Sequence, residues 1–313
     1  MRIIFFGTSE FAVPALEALI KSSHEVVSII TQPKTHKGRG LKVLPQPVEL
    51  YASKKGLVVR KFEDINSKEA FEFLKEQEAE AFVIVSFGQI FSKEVLEIPA
   101  LYPINIHASI LPKYRGAAPI HRAIINGEKR SGVTIMRVSV KLDHGDIIFQ
   151  KELAIGDDED AASLSARLSS LAAPLLIETL DQIAAGSAPS TPQDDPAATY
   201  AHKLSKEDGL IDWSKDAPSI KNLVRGCSPW PSAYTYLDGK VLKILKVDIS
   251  EGAKGKKQGS VIETTDKGIK VSCGKGAVLI ERLQIEGKKP LAASEFLRGR
   301  TIPEGTVLGG ADV

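Results

Sequence analysis

An α/β fold is expected for this chain: a Rossmann-like domain built on a parallel sheet, followed by a small OB-like β-barrel. Three observations lead there. The N-terminal half alternates short, continuous apolar runs with helical stripes, the pattern of strands covered on both faces by helices. A stretch rich in Pro, Ser, Asp and Ala (Gly186–Thr199) then interrupts it. Beyond that stretch, short strands follow one another, separated by Gly and Asp-Gly turns.

Arg2–Phe6 is a short apolar strand that ends at Gly7-Thr8-Ser9. Ser9 is a candidate cap for a helix running to about Ser22, with Phe11, Ala15, Leu16, Leu19 and Ile20 on one stripe. Pro14 falls near its start, where a missing N–H matters least. Val26–Thr31, Phe82–Ser86 and Ile104–His107 are further strands. Gln32–Pro47 is a loop with Pro33, Gly38, Gly40, Pro45 and Pro47, long enough to be functional. Val133–Ser139 and Ile147–Ile155 read as an antiparallel pair, and Ser163–Ala185 as a long helix. After the Pro/Ser-rich stretch come one helix, Ala217–Gly226, and five strands: Ala233–Leu237, Val241–Val247, Gly259–Thr264, Gly268–Val271 and Ala277–Gln284. The expected division is a catalytic domain over 1–186, a linker over 187–206, and a β-domain over 207–313.

Bulk properties narrow the class. The chain has 313 residues, 43% hydrophobic and 26% charged, with a formal net charge of +2. Such a charge makes the chain as a whole no magnet for nucleic acid, so any RNA binding must be local. Cys227 and Cys273 are the only cysteines. They cannot build a disulfide framework or a cysteine-rich zinc site, and a reducing, cytoplasmic setting is expected. The first apolar run is too short for a signal peptide, and no window approaches a membrane span.

The chemistry concentrates in Tyr102–Gly116. Asn105 and His107 are two apart at a strand end, so both point to one face. They fall at the carboxyl edge of the sheet, where open α/β folds hold ligands. Further on, Lys141-Leu142-Asp143-His144-Gly145-Asp146 is a turn with two carboxylates. Asp143 within reach of His107 would favour a charged imidazole by attraction. An Asn/His/Asp set without a Ser or Cys nucleophile suits direct acyl or formyl transfer: two donors for an oxyanion and a carboxylate to manage the proton. The remaining histidines show no metal-ligand spacing, and no metal is expected. Phe6-Gly7-Thr8-Ser9 has one glycine where a dinucleotide fingerprint needs three, which disfavours a nicotinamide-dependent dehydrogenase.

At these residues the chain resembles the folate-dependent formyltransferases. The resemblance rests on Asn105-Ile106-His107, Ser109-Ile110-Leu111-Pro112, Tyr114-Arg115-Gly116-Ala117-Ala118-Pro119 and Leu142-Asp143-x-Gly145-Asp146. It implies that Asn105, His107 and Asp143 are catalytic and that Ser109, Ile110, Leu111 and Pro112 bind the folate. It implies too that Ser86, Phe87, Gly88 and Gln89 line the pterin pocket. Phe6–Phe11, Thr31-Gln32-Pro33, Gly38-Arg39-Gly40 and Pro229-Trp230-Pro231 extend the match from Met1 to about Gly309. These motifs are similar to those of members acting on aminoacyl-tRNA. The implied reaction moves a formyl group from 10-formyltetrahydrofolate to the α-amino group of methionine on initiator tRNA. The departures are Ala108, Ile110 and His144, where Gly, Leu and Thr are commoner in the family; none removes a catalytic group.

An RNA partner also fits the charge pattern. Lys34, Lys37, Arg39 and Lys42 crowd one Gly-containing loop, and the resemblance implies that Lys37, Arg39 and Lys42 contact tRNA, with Arg39 the key arginine. Between Lys240 and Lys289 basic residues outnumber acidic ones 12 to 6, which suits a face that tracks a phosphate backbone. The nearest alternative is a formyltransferase for a nucleotide sugar or a glycinamide ribotide. A more distant one is an RNA-binding protein with a degenerate catalytic domain. No obligate protein partner and no membrane are indicated.

Overall fold

The computed structural model describes residues 1–33, 45–252 and 256–309. The chain divides into two compact units. One holds residues 1–119, 131–153 and 165–201; the other holds 120–130, 154–164 and 202–313.

The first unit is organised by a seven-stranded sheet. Its strands are β1 (Arg2–Gly7), β2 (Glu25–Thr31), β3 (Val59–Lys61), β4 (Ala81–Val85), β5 (Tyr102–His107), β6 (Arg130–Arg137) and β7 (Ile147–Ala154), in the order β3-β2-β1-β4-β5-β6-β7. β1 pairs in parallel with β2 and β4, and β4 with β5. β6 pairs antiparallel to β5. The apolar runs sit at the centre because both faces there are covered: Ile3, Ile4, Phe5 and Phe6 are fully buried, as are Ala81, Phe82 and Val83. Phe6 packs its ring against Phe82, Phe87 and Phe91 at centroid distances of 5.1, 5.4 and 5.1 Å.

Between the strands run α1 (Val13–Lys21), α2 (Pro47–Lys54), α3 (Lys68–Glu76) and α4 (Lys93–Leu96). α5 (Pro119–Ile125) and α6 (Ala161–Ala184) follow further along. α1 buries Ala15, Leu16 and Leu19 of the expected stripe, while Ile20 is half-buried and Phe11 lies in the turn before the helix. α3 is capped by Ser67, whose hydroxyl accepts the Ala70 N–H at 3.2 Å. Ser9 behaves differently from expectation. A 3-10 turn, Glu10–Ala12, precedes α1, and the Ser9 side chain makes no capping bond; its hydroxyl meets Ser86 Oγ at 2.8 Å instead.

In the second unit α7 (Ala217–Gly226) is followed by β8 (Ala233–Leu237), β9 (Lys240–Ser250), β10 (Val261–Thr265), β11 (Gly268–Ser272), β12 (Ala277–Ile285), β13 (Leu291–Ala292) and α8 (Ala293–Gly299). The sheet runs β10-β11-β12-β9-β8, with β13 on β12. Among the described residues this path is open rather than closed into a ring. Asp216 caps α7 through the Ser219 N–H at 2.9 Å, and Ile220 and Val224 point into the core. That core includes Trp213, Leu242, Ile244, Val261, Ile269, Val278 and Ile280. Both cysteines are free and buried. Burial pushes the Cys227 thiol up to about 12, so it is no nucleophile at neutral pH.

Candidate active site at the carboxyl edge of the parallel sheet

The strand order places a crevice before any side chain is considered. From β1 the chain adds β2 and β3 on one side, then crosses to place β4 on the other. The segments leaving β1 and β4 therefore diverge at a topological switch point, where such sheets hold ligands. Thr8 and Ser9 follow β1, and Ser86–Gly88 follow β4. They are tied together: Thr8 Oγ1 donates to the Phe87 carbonyl at 3.2 Å and accepts the Gln32 N–H at 3.3 Å.

One strand further, β5 ends in the Asn-x-His pair. Asn105 lies opposite Ile84 of β4, and His107 opposite Thr134 of β6. The turn after β6 brings Asp143 back over them. Asp143 Oδ2 lies 3.6 Å from His107 Nδ1, and Oδ1 lies 3.5 Å from Asn105 Nδ2. His107 and Asp143 are only 5% and 8% exposed, so their mutual attraction is little screened by solvent. The structure thus gathers the three residues that the sequence separates by 38 positions.

Two backbone groups complete the arrangement, and the sequence reading gave them no role. His107 Nε2 lies 2.9 Å from the Tyr114 carbonyl. A carbonyl only accepts, so Nε2 is a donor here and Nδ1 is the nitrogen presented to Asp143. Gly116 donates its N–H to Asp143 Oδ2 at 2.8 Å. Gly116 has φ +116°, and a Cβ there would lie 2.9 Å from the Ala201 carbonyl oxygen. That is why glycine stands in Tyr-Arg-Gly: no other residue would deliver this N–H without displacing the chain beside it. The signal was visible as a motif glycine, but its target was not.

The stretches matched to a folate site divide into contact surface and support. Ser86 and Gly88 are exposed, whereas Phe87 is buried in the aromatic cluster. Gln89 is a brace: its Oε1 accepts the Ile65 N–H at 2.7 Å and its Nε2 donates to the Phe62 carbonyl at 3.1 Å. Ser109 and Leu111 are buried, and Ile110 and Pro112 are half-buried. The Ser109 hydroxyl donates to the Lys113 carbonyl at 2.6 Å. Thr134 Oγ1 donates to the Ser109 carbonyl at 2.7 Å and accepts the Leu111 N–H at 3.2 Å. Gln150 Nε2 reaches the Leu111 carbonyl and Thr134 Oγ1, both at 2.9 Å. Side chains open to a ligand are therefore Ser86, Ile110 and Pro112, with the Gly88 backbone beside them.

His144, one of the departures, pairs with Asp195, Nε2 to Oδ2 at 2.8 Å. Arg115 first, then His144, hold the Asp195 carboxyl below its ordinary value. Lys37, Arg39 and Lys42 lie outside the described residues. Of the basic residues between 240 and 289, Lys240, Lys243 and Lys246 lie on β9, and Lys246 pairs with Glu281 at 2.7 Å. Among the described residues no His, Cys, Asp or Glu cluster could hold a metal ion, and no helix is long and apolar enough to cross a membrane.

The chain is 48% identical over 312 residues to the methionyl-tRNA formyltransferase of Geotalea daltonii, covering 100% of this chain and 99% of that protein. In fold it is similar to WlaRD, a sugar 3N-formyl transferase solved with dTDP and 5-N-formyl-THF. There the TM-score is 0.67 at 21% identity, over 92% of this chain and 99% of WlaRD. HypX from Aquifex aeolicus, solved with tetrahydrofolic acid, shares the fold at TM-score 0.65 and 19% identity over 95% of this chain. This chain spans about half of HypX, 47% of its length. The formyl transferase model matches residues 1–180 and the formyl transferase C-terminal domain model matches residues 203–301, and on these matches the chain belongs to the formyl transferase family.

Proposed function

We propose that this chain transfers the formyl group of 10-formyltetrahydrofolate to the α-amino group of methionyl-initiator tRNA, in the cytoplasm, for translation initiation. The observation that carries the chemistry is the convergence of an amide, an imidazole and a carboxylate at the end of β5. The full-length 48% identity to a methionyl-tRNA formyltransferase supports the choice of acceptor.

The edge suits a folate. Gly88 (φ +90°) stands against Gln32, whose Nε2 would lie 2.8 Å from a Cβ there, so glycine keeps bare backbone at this edge. Bound 10-formyltetrahydrofolate supplies an electrophilic formyl carbon. Asn105 and His107 donate to the formyl oxygen as it gains negative charge, Asn105 through Nδ2 and His107, in its charged form with both ring nitrogens protonated, through Nδ1. Such fixed donors favour the transition state over the ground state. The 3.5 and 3.6 Å separations from Asp143 are longer than good hydrogen bonds, so both donors can turn to a substrate oxygen without breaking a tight pair. The amine adds to the formyl carbon and the bond from that carbon to N10 of the folate breaks; Asp143 balances charge on His107 and helps move the proton from the attacking amine to the departing N10, while Gly116 and Tyr114 hold carboxylate and ring in place. Residues 1–186 carry the chemistry, and 207–313, joined through 187–206, contribute tRNA contacts with Lys37, Arg39 and Lys42.

The test is formyl transfer from 10-formyltetrahydrofolate to methionyl-initiator tRNA, run beside elongator methionyl-tRNA, free methionine and an amino-sugar nucleotide. Preference for the initiator tRNA is expected. Turnover of the sugar nucleotide alone would replace the acceptor while keeping the chemistry.

A further inference from the structure

The Pro- and Ser-rich stretch that reads as a linker is bonded to the catalytic loops. Arg115 N–H donates to the Thr199 carbonyl at 2.8 Å, and Ala201 N–H donates to the Arg115 carbonyl at 2.7 Å. The Tyr114 N–H donates to Thr199 Oγ1 at 2.9 Å, and Ile147 bridges to Thr191. Within this strap one side chain reaches the Asp143 turn. Gln193 Nε2 lies 2.9 Å from the Asp143 carbonyl and 2.8 Å from the Gly145 carbonyl. Asp143 has a left-handed backbone, φ +51°, a conformation that a non-glycine residue holds only when its surroundings enforce it. Two converging carbonyls repel each other unless a donor sits between them, and the Gln193 amide supplies both N–H groups.

The amide is itself oriented. Gln193 Oε1 accepts from Arg115 Nε at 3.0 Å and Nη2 at 2.8 Å, and Nη2 also reaches Asp195 Oδ1 at 2.9 Å. Arg115 is 2% exposed. It stands between Tyr114, whose carbonyl faces His107, and Gly116, whose N–H holds Asp143. One guanidinium thus links the support of the imidazole to the support of the carboxylate.

We propose that Gln193 is a positioning residue for Asp143, and that the strap over residues 191–201 belongs to the catalytic apparatus. This rests on the catalytic reading of Asp143. Gln193 touches no reacting atom; it sets the direction of the carboxylate that does. Displacing a catalytic group by about 1 Å costs on the order of a hundredfold in rate.

The experiment uses the full chain with methionyl-initiator tRNA and 10-formyltetrahydrofolate as substrates. Gln193→Ala should lower kcat roughly ten- to a hundredfold, with both KM values within about twofold and the melting temperature nearly unchanged. Gln193→Glu is the decisive variant. It keeps a partner for Arg115 but aims an acceptor at two carbonyls, so it should be at least as impaired as Gln193→Ala. Wild-type kcat in Gln193→Glu would reduce Gln193 to an anchor for Arg115 and overturn the proposal. Added to Asp143→Ala, Gln193→Ala should cause no further loss, because residues acting as one unit are non-additive; a full multiplicative loss would contradict it. Wild-type kcat in Gln193→Ala beside a disabled Asp143→Ala would refute the positioning role alone. Wild-type kcat in Asp143→Ala would instead refute the reading beneath it.

Discussion

The two units treat polar side chains in opposite ways. The N-terminal unit buries ionisable side chains: His107, Arg115 and Asp143 are 5%, 2% and 8% exposed. In the C-terminal unit the buried polar side chains among the described residues are hydroxyls, those of Ser232, Thr235, Ser260 and Ser272. Its charges lie nearer the surface, as in Lys246–Glu281 at 2.7 Å and Lys221 with Asp158 and Asp248 at 2.6 and 3.0 Å. Burying an ion costs several kcal/mol unless it is paired and hydrogen-bonded. A fold that buries three ionisable side chains together at one sheet edge is supporting something other than stability. Surface charge adds little to stability, but a basic excess attracts phosphate through released counterions. The contrast separates a region shaped for chemistry from one suited to holding a polyanion.

The largest effect that could break this contrast is at the sheet edge. Asn105→Ala and His107→Ala should each lower kcat by about 10² to 10³, with KM for methionyl-tRNA little changed. Steady-state kinetics check this, and a change confined to KM would move both residues into binding. Next comes Arg39→Ala. Removing a charge-assisted phosphate contact of about 1.5–3 kcal/mol should weaken methionyl-tRNA use roughly ten- to a hundredfold. Arg39→Lys should recover only part of it, since the planar fork is lost. Folate affinity, measured by fluorescence titration, should hold; a parallel fall would sink the RNA-specific role.

A smaller effect sharpens the role of the second unit. Log affinity for tRNA should fall linearly with log salt, and Lys243→Ala should reduce that slope by about 0.7 if Lys243 meets one phosphate. Filter binding across a salt series reads it, and a flat profile would remove the electrostatic account. The smallest effect concerns stability alone. Asp208 accepts the Ser205 N–H at 2.7 Å and Arg122 Nη1 at 2.9 Å. Burial pushes its carboxyl up, but the Ser205 N–H and Arg122 outweigh burial and leave it below the ordinary value. Its stabilisation is therefore complete above the unfolded carboxylate value of about 3.9 and is lost as pH falls through the lower folded value. Asp208→Asn should destabilise by about 1–2 kcal/mol at neutral pH, a gap that narrows in acid, with kcat untouched. Urea unfolding at several pH values measures it.

How far the sequence could be read follows the same physics. β1 and β4 were legible because strands covered on both faces must be apolar throughout. Asn105 and His107 were legible as a pair because strand side chains alternate with period two. Asp143 could be offered as their partner from its carboxylate-bearing turn, but its catalytic role came from the resemblance, since nothing local sets the path of a turn 38 residues away. The strap over 191–201 was opaque for a physical reason. Its bonds run largely through backbone groups and one amide, and Pro, Ser, Thr and Gln look the same in a docked strap as in a free linker. Gln89 and Ser109 carry a second job that a motif does not reveal: polar residues in a matched binding stretch, their side chains are engaged in holding neighbouring chain. Ser9 was misassigned to a helix cap because Ser86, 77 residues away, competes for its hydroxyl.

The most direct test of the account separates binding from chemistry in one variant. Asp143→Asn preserves shape and removes the charge beside His107. Its single-turnover formyl transfer should fall by about 10² or more, while its equilibrium affinity for methionyl-initiator tRNA stays within about twofold of the native protein. An unchanged rate, or a rate that falls only in step with tRNA affinity, would contradict the claim that the buried charges at the end of β5 perform the transfer.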